Sequence, residues 1–119
     1  MKPDQIETMR KNINFITKKL TRKQIIELLM FFFEIQEMPE IIAIERQMIS
    51  IEGFILLKKR IFKFEITFIP ESYKAQIILS LQYGKTKIDD AEKIEISEYD
   101  DRIDIYLAEN KQYLFSIYF

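Results

Sequence analysis

Histidine, cysteine and tryptophan are absent from this chain of 119 residues, and glycine occurs only at Gly53 and Gly84. Each absence excludes a class of chemistry. Without histidine no side chain titrates unperturbed near neutral pH. Without cysteine there is no thiolate nucleophile and no disulfide framework. Neither residue is available as a nitrogen or sulfur ligand for zinc. With two isolated glycines no Gly-rich loop can cradle a phosphate. Valine is missing too, while isoleucine, phenylalanine and lysine are abundant. An AT-rich genome accounts for that skew more simply than function does.

What remains is globular composition: 48% hydrophobic, 31% charged and a formal net charge of −1. A chain of this length makes one domain and can bury a core without disulfides or metal. The opening stretch MKPDQIETMRKN carries Asp4 and Glu7 and has no apolar core of signal-peptide length. The most apolar run, Ile25 to Phe33, contains Glu27 and is far shorter than a membrane span. A cytoplasmic protein is expected.

The first third has helical periodicity. Ile6, Met9, Ile13, Ile16 and Leu20 recur at steps of three and four. Pro3 suits a first helical turn, and Asp4 and Glu7 suit the positive end of the helix dipole. Thr21-Arg22-Lys23-Gln24 reads as a capping box flanked by Leu20 and Ile25, so a second helix should begin at Arg22. It should stop by Glu37, because Pro39 disfavours helix at Met38. Pro39 could open a short third helix through Ile41, Ile44 and Met48. The β-branched run from Ile42 to Ile51 could equally be strand.

After Ser50 the period is two. Ile49, Ile51, Ile55 and Leu57 share one parity, as do Phe62, Phe64, Ile66 and Phe68, and then Tyr73, Ala75, Ile77, Leu79, Leu81 and Tyr83. Such alternation marks antiparallel strands with one buried and one wet face. Lys58-Lys59-Arg60, Pro70-Glu71-Ser72 and Tyr83-Gly84-Lys85 read as connections. Further strands are expected over Lys93 to Tyr99, Arg102 to Leu107 and Tyr113 to Phe119. The expected fold is α+β, with two or three N-terminal helices packed on one face of a five- to six-stranded antiparallel meander.

Catalysis would have to come from carboxylates, lysines, tyrosines or hydroxyls. The acids concentrate in the polar stretch from Asp89 to Glu109, where no apolar sequence surrounds them to raise a pKa. The pairs Asp89-Asp90 and Asp100-Asp101 lack the spacing and the glycine of a calcium loop. No Ser-x-x-Lys occurs. No enzyme activity, metal or other cofactor is expected.

Charge is instead separated along the chain. Lys2, Arg10, Lys11, Lys18, Lys19, Arg22 and Lys23 make the N-terminal region basic. Asp89, Asp90, Glu92, Glu95, Glu98, Asp100, Asp101, Asp104 and Glu109 make a later region acidic. The two poles could face each other or simply keep the surface soluble. Alternatively the acidic one docks a basic protein, since complementary fields speed encounter and reject wrong partners. Tyr99 and Tyr106 lie among those acids and would add contact area. The candidate docking residues are therefore Asp89, Asp90, Glu92, Glu95, Glu98, Tyr99, Asp100, Asp101, Asp104 and Tyr106.

The acidic pI and the lack of a known module pattern argue against nucleic acid as a partner. The run Ile25 to Phe33 is apolar on nearly every side, which fits either a sandwiched helix or a homodimer interface. In general character, though in no residue motif, the profile is similar to small bacterial immunity proteins and antitoxins. That similarity implies neutralisation of a basic toxin, such as a nuclease. Two other readings stay open: a dimeric secretion-chaperone-like protein using Met30 and Phe33, and a small-ligand pocket lined by Tyr73, Tyr83 or Tyr113.

Overall fold

A computed structural model describes residues 3–72, 74–81, 86–91, 94–107 and 111–119, with Pro3, residues 86–91 and Leu107 described by their backbone only. Two helices come first, α1 (Pro3–Lys19) and α2 (Arg22–Phe32). The α2 start is a capping box. The Gln24 backbone N–H donates to Thr21 Oγ1 over 3.1 Å, and the Thr21 N–H donates to Gln24 Oε1 over 2.9 Å. The helix stops earlier than Pro39 requires. Glu34 takes a left-handed φ of 51°, and the Ile35 N–H donates back to the Met30 carbonyl at 2.9 Å. That closing bond satisfies a carbonyl the helix end leaves free.

Among the described residues eight strands follow: β1 (Glu40–Arg46), β2 (Ser50–Leu57), β3 (Arg60–Ile69), β4 (Lys74–Leu81), β5 (Thr86–Ala91), β6 (Ile94–Glu98), β7 (Arg102–Leu107) and β8 (Gln112–Tyr118). All pairings are antiparallel between sequence neighbours, so the chain meanders. The meander is broken, however, into a five-stranded sheet in the order β1-β2-β3-β4-β5 and a three-stranded sheet in the order β6-β7-β8. β6 lies beside β4. The α+β class and the antiparallel habit agree with the sequence. A single sheet of five or six strands does not, and neither does the third helix from Pro39.

That helix is replaced by β1 for an identifiable reason. A β-bulge between Ile41 and Ala43 inserts one extra residue, so the inward-facing Ile41 and Ile44 fall three apart. Three is a helical step, and the bulge disguises a period of two as a period of 3.6. The Tyr83-Gly84-Lys85 turn lies outside the described residues, as do Tyr73 and Tyr83 themselves.

One core serves both sheets. Ile13, Ile16 and Leu20 of α1 and its exit, with Ile25, Leu28 and Leu29 of α2, pack in the same cluster as Ile51, Ile55, Phe64, Ile66 and Ile77 of the large sheet. Ile94, Ile103, Ile105, Phe115 and Ile117 of the small sheet join it. Polar contacts tie the layers. Arg46 Nη1 donates to the Thr17 carbonyl at 2.8 Å, and Gln24 Nε2 donates to the Ser116 carbonyl at 3.4 Å. The helices thus share the core-facing side of the strands, while among the described residues Phe54, Leu56 and Ile61 of the large sheet and Tyr113 and Tyr118 of the small one are exposed.

Gly53 sits where no side chain fits. A Cβ there would overlap the Ala43 carbonyl oxygen across the bulged pair and come within 2.9 Å of the Phe64 ring. Phe64 is itself fully buried, so the ring has nowhere to go.

Candidate docking face on the small sheet

Alternation along β7 divides its residues sharply. Ile103 and Ile105 are buried in the core, so Arg102, Asp104 and Tyr106 belong to the other face. Register then brings three further groups beside them. Ser97 and Ser116 flank Asp104, while Glu95 and Tyr113 flank Tyr106. Tyr118 lies opposite Arg102.

Asp104 is the organising residue of this face and is only 3% exposed. Its Oδ1 accepts from Ser116 Oγ at 2.6 Å and from Arg102 Nε at 3.0 Å. Its Oδ2 accepts from the Tyr106 hydroxyl at 3.3 Å. The hydrogen bond from Ser116, followed by the Arg102 and Tyr106 contacts, outweighs the cost of burial and holds the carboxyl below its ordinary pKa. Asp104 is therefore an ionised group with its hydrogen-bonding capacity committed internally. Burial, reinforced by Tyr99 and the Asp104 charge, pushes the Tyr106 phenol upward, so it stays a neutral donor.

The network extends outward. Arg102 Nη1 pairs with Asp101 Oδ1 at 3.0 Å, and its guanidinium lies 4.5 Å from the Tyr99 ring centre. The Tyr113 hydroxyl and Ser116 Oγ are 2.5 Å apart, and the Tyr106 and Tyr113 rings meet edge to face at 5.7 Å. Lys111 Nζ closes on Glu95 at 2.7 Å. These contacts fix rotamers on the surface side of the sheet, which lowers the entropy that a partner must overcome to bind.

Several aromatic side chains in this region are nonetheless largely open to solvent. Tyr99 is 47% exposed, Tyr113 51% and Tyr118 65%. Glu98, Asp100 and Asp101 are exposed around the Tyr99 end. The described acids Glu95, Glu98, Asp100, Asp101 and Asp104 outnumber the cations Arg102 and Lys111, so the region is net negative.

Of the candidates read from the sequence, Glu95, Glu98, Tyr99, Asp100, Asp101, Asp104 and Tyr106 come together on this sheet and its hairpin. Asp104 and Tyr106 form its support, with Asp104 buried rather than solvated as its polar sequence context implied. Asp89 and Asp90 lie on β5 of the other sheet, where they pair through the backbone with Ile77 and Gln76. Glu92 and Glu109 lie outside the described residues. Tyr113 and Tyr118 were not assigned to this face by sequence. Tyr118 shares its parity with Ser116, whereas Tyr113 has the opposite parity and reaches this face only through the register shift beside Tyr106.

The basic N-terminal pole does not supply the partners given above for these acids, which come from Arg102 and Lys111. Arg10 instead reaches Glu71 at 4.0 Å. Among the described residues no cluster of three acids is arranged to hold a metal ion. No described helix is long and apolar enough to cross a membrane. In α2 most of the apolar surface is used internally: Ile25, Leu28 and Leu29 are buried, Ile26, Phe32 and Phe33 pack on the core, and Phe31 is left exposed. Comparison with protein-family models, with curated proteins and with solved structures gives no match to this chain.

Proposed function

We propose that this chain is a non-catalytic protein-binding module that docks a basic protein through the outer face of β6–β8 and the Tyr99–Arg102 hairpin. The observation that carries the reading is the combination of exposed Tyr99, Tyr113 and Tyr118 with a net negative surround, held in place by the buried Asp104 network. Tyrosine gives large, rigid contact area at low entropic cost, and carboxylates give specificity and a fast encounter with cations. Asp104 itself is a poor candidate for general base, since three donors already stabilise its charge.

The particular form we favour is an immunity- or antitoxin-type neutraliser acting in the bacterial cytoplasm. Carboxylates set out on a rigid sheet can meet the arginines and lysines with which a nuclease grips phosphates. The chaperone-like reading has less support, because α2 spends most of its apolar surface on its own core. A homodimer through Ile25 to Phe33 is weakened for the same reason. The pocket reading is weakened by Tyr113, which stands on the open face rather than between helices and sheet.

The test is charge reversal at Asp100 and Asp101 together. Both are exposed, so the pair should slow association with the native basic partner at least tenfold at low salt and much less at 0.5 M salt. Association unchanged at low salt would remove the electrostatic part of the proposal.

A further inference from the structure

The direction of the protons around Asp104 determines what kind of group the small sheet can receive. Asp104 is ionised, so both of its oxygens only accept. Ser116 has a single hydroxyl proton, and it goes to Asp104 Oδ1. The 2.5 Å contact between Tyr113 and Ser116 then has only one sense: the Tyr113 hydroxyl donates and Ser116 Oγ accepts. The Tyr106 proton is directed to Asp104 Oδ2 in the same way. Three hydroxyl protons near the centre of this face therefore point inward. Outward, those hydroxyls offer lone pairs and no hydrogen.

The cations of the face are turned onto it as well. Arg102 gives Nε to Asp104 and Nη1 to Asp101, and Lys111 Nζ reaches both oxygens of Glu95. What a partner meets is chiefly acceptors and aromatic rings. Tyr113 and Tyr118 each leave about half or more of their surface open to solvent. The molecule itself shows what such a ring takes, since the Arg102 guanidinium lies 4.5 Å from the Tyr99 ring centre.

Register sets the spacing of the two open rings. Tyr118 stands beside Arg102 and Tyr113 beside Tyr106. Those neighbours are four residues apart on β7, so the rings are offset by about 13 Å along the sheet. No one side chain covers both.

We infer that the docking face selects arginine over lysine in its partner, taking one guanidinium on Tyr113 and a second on Tyr118. A guanidinium is planar, donates without accepting, and stacks on a ring while its edge N–H groups reach nearby oxygens. The Tyr113 phenol oxygen and the carboxylates of the face are such oxygens. An ammonium carries the same charge but is compact and strongly hydrated, so it gains less from a ring face. The inference rests on the docking role proposed for the small sheet and specifies the partner chemistry of that same site.

Calorimetric titration at low salt with two probes of equal charge, hexa-arginine and hexa-lysine, tests it on the unaltered chain. Hexa-arginine should bind about fivefold more tightly or better. Tyr113→Leu with Tyr118→Leu should bring hexa-arginine down to the hexa-lysine affinity and leave hexa-lysine unchanged, with circular dichroism showing the variant folded. Tyr118→Leu alone, which lies outside the Asp104 network, should remove part of the preference. Charge reversal at Asp100 and Asp101 should weaken both peptides alike, because it alters the field and not the rings. Equal affinity for the two peptides, or a preference that survives the double tyrosine variant, overturns the inference and leaves the docking role standing. Binding of neither peptide overturns both.

Discussion

Replacing Asp104 by alanine removes the acceptor for three donors at once. Ser116, Arg102 and Tyr106 lose contacts of 2.6, 3.0 and 3.3 Å. Hydrogen bonds to a charged group contribute about 1.5–3 kcal/mol each when fully buried. Here the Arg102 side chain is about one third exposed, and water can replace part of what it loses. The expected destabilisation is therefore about 2–3 kcal/mol rather than the sum of three bonds. Unfolding entropy scales with length, so this amounts to a fall in Tm of about 8–12 °C.

The sign with pH follows from the lowered pKa. The Asp104 contribution is fully present above the ordinary carboxylate range and is lost as pH falls through the lower folded value. Thermal unfolding followed by circular dichroism at pH 7 and again near pH 3 reads both effects. Asp104→Ala should lie well below wild type at pH 7, and the gap should narrow in acid. Asp104→Asn keeps the shape and should fall between the two at pH 7. A variant within about 2 °C of wild type, or a gap unchanged by pH, would refute the assignment of Asp104 as the support of this face.

Gly53→Ala should destabilise by about 3 kcal/mol, near the upper end for overpacking, because the added methyl meets backbone on one side and the buried Phe64 on the other. Chemical denaturation checks this, and near-neutral behaviour would mean that the bulged pair relaxes easily. The Asp100 and Asp101 reversal that slows partner association should leave Tm within a few degrees of wild type. The one contact it removes, Asp101 to Arg102, is an exposed pair worth less than about 1 kcal/mol.

Much of the fold was legible in local chemistry. Thr21 and Gln24 marked the start of α2 because a capping box is a two-residue signal needing no tertiary context. Phe62, Phe64, Ile66 and Phe68 marked β3 by simple alternation. Residues 40–46 could be read as helix or as strand because their bulge imitates a helical step, and a bulge is decided by the partner strand; the strand reading is the one the structure shows. β5 was missed because Thr86 to Ala91 is largely polar and its place comes from pairing with β4. The split into two sheets leaves no mark in any one strand.

The candidate site was legible as composition but not as geometry. Seven of its ten residues gather on one sheet and hairpin, since β6, the hairpin and β7 are consecutive in sequence and pair with each other. Asp89 and Asp90 went elsewhere because a sheet boundary falls between them and Glu95. Asp104 is buried on that outer face because Ser116, twelve residues away, supplies with Arg102 and Tyr106 the hydrogen bonds that make its burial tolerable.

The central claim is tested most directly by oxidative footprinting of the chain in its native complex and alone. Docking through the small sheet predicts that Tyr99, Tyr113 and Tyr118 lose reactivity on binding while Phe31 and Phe54 do not. Protection confined to the helices or the five-stranded sheet, with those three tyrosines still fully reactive, would contradict it.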